Sequence, residues 1–391
     1  MISFNEAKDI VKQNSALIKN VEQIALYESL NRILAQDIVS DIDMPPFDKS
    51  AMDGYACRRD DINRELKIVG VIRAGNNEKI EVQEGECVKI MTGGKMPVGA
   101  DCVLAVEDTK ENDGKIVFIA KETKSNFVKR AYDIKKEDVV LRKGSLIKPQ
   151  QIAVMASVGI LKPLVYQQLK VAVLTTGDEI VEPHIVPVDS QIRNSNASQL
   201  LAQIRRTGAL PLYMGIVGDS KDITKQAISE GIQLADVLLI TGGVSMGDYD
   251  FVPDILTELG VDIKFDKVAV KPGKPTVFGL AESCFVFGLP GNPVSSFIIF
   301  ETIAKELIYR AMGYDCVSNE IETKISEDFN RRSTSRTEWV PVKVNIDGTV
   351  SATVYHGSAH IHALCSADAI MRIEKGVKSI PKGEKVYVRF I

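Results

Sequence analysis

The residues best suited to chemistry lie in VLLITGGVSMGDYD, residues 237–250, where an apolar, strand-like run ends in a turn carrying glycines and two carboxylates. Gly242, Gly243 and Gly247 let backbone N–H groups approach an anion, and Asp248 and Asp250 are of the type that holds a hard cation beside a phosphate. The spacing departs from a nucleotide-binding P-loop, because Asp248 follows Gly247 where that motif requires Lys and then Ser or Thr. Taken alone, the loop reads more readily as a plain glycine turn.

The elements around it repeat its form. LKVAVLTTGDEI (169–180) is a second apolar run, ending in Thr-Thr-Gly before Asp178 and Glu179, and CFVFGLPGNPVSS (284–296) is a third, ending in Gly-Leu-Pro-Gly-Asn-Pro. Between the first run and the loop lie two helical patterns. One, 195–206, closes at Gly208; the other, 219–234, has Asp219 or Ser220 as N-cap and apolar positions at Ile223, Ala227, Ile228 and Ile232. Strand and helix alternating at this spacing predict βαβ units and a parallel sheet, whose ligands collect beyond the carboxyl ends of the strands. Downstream, KVAVKPGKP (267–275) gathers Lys267, Lys271 and Lys274 on a turn stiffened by Pro272 and Pro275 and opened by Gly273. It reads as an oxyanion clamp or as a solvated basic loop. The stretch 290–296 leads into a helix over 294–310, whose first turn is a natural anion site, with Ser295 either a contact or a structural cap.

Composition bounds the rest. The 391 residues suggest two to four domains, and 45% hydrophobic with 26% charged residues is ordinary for a soluble globular chain. A net charge of −4 argues against nucleic-acid binding. The six cysteines contain no CxxC pair, so buried free thiols in a reducing compartment are expected, with neither zinc nor a disulfide framework. Ser3 and Glu6 form a capping-box pattern where a signal peptide would need an apolar core, and no later run is long enough to cross a bilayer. The expected location is cytoplasmic.

Texture changes along the chain. Residues up to about Asp43 read as helices; from Met44 to about Val140, short β-like pieces (66–71, 86–91, 102–106, 115–119) alternate with turns such as Asn112-Asp113-Gly114; 150–159 reads as a helix closing at its glycine. From Cys316 onward strand alternation returns, with an Asp347-Gly348 hairpin turn, suggesting a small β-barrel or sandwich. The expected fold class is therefore multidomain α/β plus β: a helical N-terminal and linker part (1–43 with 138–168), a β-rich insert (44–137), a central α/β domain with a mostly parallel sheet (169–314) and a C-terminal small β-barrel (315–391). His356, His360 and His362 have H-x3-H-x-H spacing but sit in a strand-rich region without the helical geometry of zinc motifs. Trp339, the single tryptophan, reads as core or interface.

Seven phrases occur in an order that resembles the molybdopterin molybdenumtransferases: MPPFDKSAMDGYA (44–56), MTGGKMPVGADCVLAVED (91–108), TTGDEI, NSN (194–196), TGGVSMGDYD, KPGKP (271–275) and GLPGNPVS (288–295). The chain looks like a bacterial MoeA-type protein, related to the E domain of gephyrin. The resemblance implies an elongated homodimer with a molybdopterin-binding α/β domain. It also implies a transferase that brings adenylylated molybdopterin and molybdate together to give molybdenum cofactor and AMP, with other cofactor-biosynthesis proteins as further partners. Such chemistry gathers mutually repelling anions, so cations and N–H donors are needed.

Residue by residue, the resemblance implies catalytic roles for Asp53, Asp133, Asp219, Asp250, Lys267, Lys271 and Lys274. It implies substrate contacts at Thr176, Gly177, Asp178, Ser195, Asn196, Gly242, Gly243, Ser245, Gly247, Pro290, Gly291, Asn292, Ser295, Arg336 and Ser358. Glu179, Asp219, Asp248 and Asp250 are candidates to hold Mg2+. Family members usually have Gly-Glu where this chain has Ala131-Tyr132 before Asp133. The resemblance also has the MPPFDKSAMDGYA segment approach the crevice of the other chain, so that Asp53 acts in trans, with Tyr55 a rigid anchor of the interface kind. Two other readings stand beside this one: a molybdopterin adenylyltransferase, and a non-enzymatic scaffold of the same fold. Molybdate and tungstate, alike in charge and shape, both suit the site.

Overall fold

The computed structural model describes residues 1–17, 20–244, 251–315 and 320–391. The chain divides into two compact units, one of Met1–Ala35, Gly144–Lys148 and Pro163–Ile391, the other of Gln36–Lys143 and Pro149–Lys162.

The first unit is built on a six-stranded sheet in the order Leu210–Val217, Lys170–Thr176, Val237–Thr241, Phe285–Leu289, Val277–Leu280, Asp262–Phe265. The first four strands run parallel, and Val277–Leu280 pairs antiparallel with both Phe285–Leu289 and Asp262–Phe265, so the expected parallel sheet carries an antiparallel extension. Lys170–Thr176 and Val237–Thr241 are buried almost throughout, as strands covered on both faces must be. Helix Ser195–Thr207 ends at Gly208, which takes the left-handed φ of 85° that a C-cap favours. Helix Lys221–Leu234 is preceded by Ser220 as N-cap, which leaves Asp219 outside the cap. The helix expected over 294–310 is Pro293–Ile299, a π turn Phe300–Ala304 and Lys305–Ala311.

A second sheet in this unit runs Val270–Lys271, Thr337–Val344, Ala369–Ile373, Lys385–Phe390, Ile321–Lys324, with Val350–Ala352 hairpinned onto Thr337–Val344 through Gly348 at φ 81°. Both sheets share one apolar core with the N-terminal helix Phe4–Asn14. Phe4, Val171, Phe287, Ile299, Trp339 and Ile370 belong to it, and Phe4 meets Trp339 edge to face at 5.7 Å.

The reading of helices as far as Asp43 needs correction. Beyond Phe4–Asn14 the described residues form the strand Val21–Gln23, a 3-10 turn Leu26–Glu28 and the strand Ile38–Val39. Sheet pairing overrides local pattern here, since Val21 pairs with Tyr166 and Ile38 with Leu141.

The second unit contains a six-stranded sheet in the order Cys102–Ala105, Gly54–Cys57, Glu86–Ile90, Leu66–Ile72, Lys115–Phe118, Thr109–Asn112, with an apolar cluster on each face. Asp113 and Gly114, at φ 45° and 73°, make the tight turn that the sequence proposes. Cys57, Cys87 and Cys102 are buried free thiols, as is Cys284 in the first unit, whereas Cys365 is exposed. Tyr55 is core, 2% exposed, with its hydroxyl donating to Glu111. An exposed aromatic anchor is thereby excluded at that position.

Candidate functional site

A cleft of about 990 Å³ opens in the first unit where the parallel strands end. Pairing brings Thr175 beside Thr241 and Thr241 beside Leu289, so the polar segments that follow these strands leave the sheet at one level. Thr176, Gly177, Glu179, Ser195, Asn196, Asp219, Gly242, Gly243, Pro290, Gly291 and Asn292, all proposed from sequence, line it. Asp178 instead locks the loops behind: its Oδ1 accepts from the Asp219 N–H at 3.0 Å, and its own N–H donates to Asp219 Oδ2 at 3.4 Å.

Two buried oxygens at this wall, Thr176 Oγ1 and Asn196 Oδ1, have no hydrogen-bond partner among the described residues. The rest of Asn196 is fixed: Nδ2 donates to Thr241 Oγ1 at 2.8 Å and to the Gly291 carbonyl at 2.6 Å. Asn194 caps the same helix through its Oδ1, which accepts from the Ala197 N–H at 3.0 Å, while its Nδ2 donates to Thr175 Oγ1 and Tyr213 at 3.1 Å each. Further along the helix, Gln199 donates to the Pro293 carbonyl at 2.9 Å and Gln203 to Glu301 at 2.8 Å. The polar rim is therefore held by a helix bonded to both its neighbours.

Glycine is required at Gly242. Its φ is 97°, and a Cβ there would lie 2.5 Å from the Thr176 carbonyl oxygen. The backbone thus passes against Thr176, and the Gly242 N–H is not free for an anion, since it donates to the Leu289 carbonyl at 3.2 Å. Burial, and secondarily Glu182, push the Tyr213 phenol up to about 12.

The basic turn reaches the cleft at Pro275. Lys271, whose peptide bond to Pro272 is cis, belongs to a strand paired with Thr337 and Glu338, and its Nζ lies 2.8 Å from Glu338 Oε1. Arg336 donates from Nη1 to the Val270 carbonyl at 3.1 Å, so this residue, just ahead of the strand Thr337–Val344, lies beside the strand that carries Lys271. Lys274 is exposed, and Lys267 lies 3.7 Å from Asp266. Ser295 is buried inside its helix and does not line the cleft. The Ser358 carbonyl accepts from the Val294 N–H at 3.0 Å, so one first-turn donor expected to serve an anion already serves the C-terminal segment. Ala359, Ile361 and His362 of that segment form part of the wall. His356 and His360 stack at 4.9 Å.

In the second unit, Asp53 Oδ1 accepts from both the N–H and the hydroxyl of Thr92, each at 2.6 Å, and these bonds hold its carboxyl below the usual range. Asp133 is exposed, with its N–H donating to the Met44 carbonyl at 2.9 Å. Ser245, Gly247, Asp248 and Asp250 lie outside the described residues. Sequence reasoning passed over Asn194, Thr241, Pro275 and Thr92. The first two had a signal: one directly precedes a helix, the other closes an apolar run.

Three family models cover the chain: the MoeA N-terminal region (domain I and II) over residues 2–159, a "probable molybdopterin binding domain" over 172–310, and the MoeA C-terminal region (domain IV) over 326–391. This chain belongs to the molybdopterin molybdenumtransferase family. A relative of that name from Staphylococcus aureus (strain Mu50) is 34% identical over 392 residues, spanning 96% of this chain and 92% of the relative. Another from Bacillus subtilis (strain 168) is 34% identical over 386 residues, spanning 95% and 90%. The crystal structure of the MoeA molybdopterin biosynthesis protein from Pyrococcus horikoshii OT3 superposes with a TM-score of 0.84 at 27% identity, over 100% of both chains. A second, from the same source genus, gives 0.77 at 30% identity over 100% and 99%. The molybdopterin molybdenumtransferase family places the chain among the transferases of molybdenum cofactor biosynthesis. Among the described residues, no helix is long and apolar enough to cross a membrane.

Proposed function

We propose that this cleft takes adenylylated molybdopterin and that the basic turn beside it delivers molybdate, giving molybdenum cofactor and AMP. The observation that carries the reading is the pair of buried oxygens Thr176 Oγ1 and Asn196 Oδ1, without a hydrogen-bond partner among the described residues, in a cleft that also brings Gly177, Gly242, Gly243 and Gly291 together. Unpaired buried acceptors are costly unless a ligand donates to them, and the amino and ring N–H groups of a pterin are such donors. Gly242, Gly243 and Gly291 let the anhydride come close to backbone. Lys271, Lys274 and Arg336 supply positive charge for the molybdate.

Mg2+ fits the cleft. Among the described residues no group of three or more His, Cys, Asp or Glu is placed to hold a metal alone, but Mg2+ ordinarily takes one or two carboxylates together with substrate phosphates and waters. Glu179 and Asp219 offer two, and Asp248 and Asp250 belong to the same proposed set. Bound there, the ion would offset the charge of the phosphates.

The reading extends to a cytoplasmic homodimer whose Asp53 serves the partner's site. Purified protein given adenylylated molybdopterin, molybdate and Mg2+ is expected to release AMP together with active cofactor, and to stop in excess chelator. AMP without cofactor would refute the transfer, and release undiminished by chelator would refute the role of the cation.

A further inference from the structure

We infer that Glu338 is a specificity-determining residue of the oxyanion clamp, an internal counter-anion that keeps abundant tetrahedral dianions from filling it. The inference rests on the reading that Lys271 and Arg336 receive molybdate. Glu338 is 5% exposed and stands in register with Lys271 on the adjoining strand. Its Oε1 lies 2.8 Å from Lys271 Nζ and its Oε2 3.5 Å from Arg331 Nη1. Arg331 is itself buried, and its guanidinium also donates to the carbonyls of Val377, Arg336 and Glu374. Arg331 is therefore the fixed partner of Glu338, whereas the Lys271 side chain, 42% exposed, is the one that can turn to an incoming anion. Tyr355 senses the same carboxylate: burial first, then the Glu338 charge, pushes its phenol up to about 12.

An arriving dianion competes with Glu338 for the Lys271 ammonium and is repelled by a carboxylate that the surrounding protein shields from salt. Any tetrahedral dianion is consequently held weakly. Sulfate and phosphate gain nothing further and leave. Molybdate forms two Mo–S bonds with the dithiol of the pterin, one of its oxo groups taking up the two thiol protons and leaving as water, and stays. Discrimination then rests on bond formation, which a strong general clamp would swamp by binding every dianion well.

The test is competition by sulfate against molybdate in the AMP-release assay, using wild type, Glu338→Gln, Glu338→Asp and Lys271→Gln. Glutamine keeps the shape and an acceptor for Arg331, so thermal melting serves as the folding control, and the aspartate variant carries the test if the glutamine variant melts early. In Glu338→Gln the sulfate inhibition constant is expected to fall about tenfold and half-saturating molybdate to fall with it. Half-saturation by adenylylated molybdopterin should stay unchanged. Glu338→Asp, which withdraws the charge from Lys271 by one methylene, should fall between wild type and Glu338→Gln. A merely structural role moves the constants the other way, because a disturbed clamp binds both oxyanions less well; that result, or unchanged sulfate inhibition, overturns the proposal. In the Lys271→Gln background, removing Glu338 should have no further effect on sulfate. Should Lys271→Gln by itself leave molybdate and sulfate as in wild type, the clamp reading is what fails.

Discussion

Asn196 commits its two amide hydrogens to Thr241 and Gly291, and its buried oxygen has no hydrogen-bond partner among the described residues. Asn196→Asp, equal in shape, removes both donated bonds and sets a charge against the Gly291 carbonyl. The expected cost is about 2 kcal/mol of stability with loss of most cofactor formation, read by urea unfolding and by the AMP assay. Wild-type activity in that variant would show that the amide does not serve the pterin. A second residue-scale prediction concerns pH. Tyr213 has a folded pKa raised from 10.0 to about 12, so the stability it contributes is complete below pH 10.0 and is lost as pH rises towards about 12. Ultraviolet difference titration of wild type against Tyr213→Phe should show this phenol ionising late in that window, together with Tyr355, and the variant should lose less stability across it. Asp53 shows how little of a role residue type alone reveals. Its place in SAMDGYA offered catalysis, whereas its bonds to Thr92 show in addition a carboxylate that holds the turn at Thr92.

At the scale of elements, the strand ends depend on glycine backbone that no side chain can replace. Gly242→Ala combines a φ of 97° with a Cβ 2.5 Å from the Thr176 carbonyl oxygen, and should cost about 3 kcal/mol or more. Gly260, at φ 75° but with nothing within 4 Å of a Cβ, supplies the control, since Gly260→Asn should cost about 1 kcal/mol or less. Denaturant midpoints compare the two, and equal losses would sink the argument from close approach. Three of the four parallel strands were legible because burial on both faces leaves a continuous apolar run that needs no partner to be recognised, whereas the edge strand Leu210–Val217, only partly buried, was not. Short strands such as Val21–Gln23 and Ile38–Val39 were not. Each is defined by a partner more than a hundred positions away in the chain, Tyr166 and Leu141 among them.

At the scale of the whole molecule, the first unit is one core assembled from distant parts of the chain. Phe4 from the first helix, strands of the α/β sheet and Trp339 of the C-terminal sheet pack together, and the Arg389 guanidinium lies 5.6 Å from the Trp339 ring centre. Trp339→Ala is expected to lower stability by about 3–5 kcal/mol and to unfold the α/β and C-terminal portions in one transition, seen by tryptophan-independent probes such as circular dichroism. Two separate transitions in the wild-type first unit would contradict a shared core. The proposed dimer makes a different prediction. Mixing inactive Asp53→Ala with inactive Lys274→Ala should restore part of the activity, because a heterodimer rebuilds one complete site. Well-folded heterodimers that stay inactive would rule out sharing.

The sequence by itself determined three apolar strands of the α/β sheet and the helices that begin near 195, 219 and 294, the β-rich insert, the hairpin at Gly348 and the ordered phrases that mark the family. Period, turn residues and motifs are local, and local signals survive in one dimension. Tertiary structure alone decided which atoms of those phrases face the cleft, because that depends on contacts between residues far apart in the chain. Only there does Asn196 lose its donors to Thr241 and Gly291, does Ser358 take a donor from the helix at Pro293, and does Lys271 meet Glu338. No spacing encodes that last pairing, since a lysine at 271 and a glutamate at 338 become neighbours only when two strands of one sheet come into register.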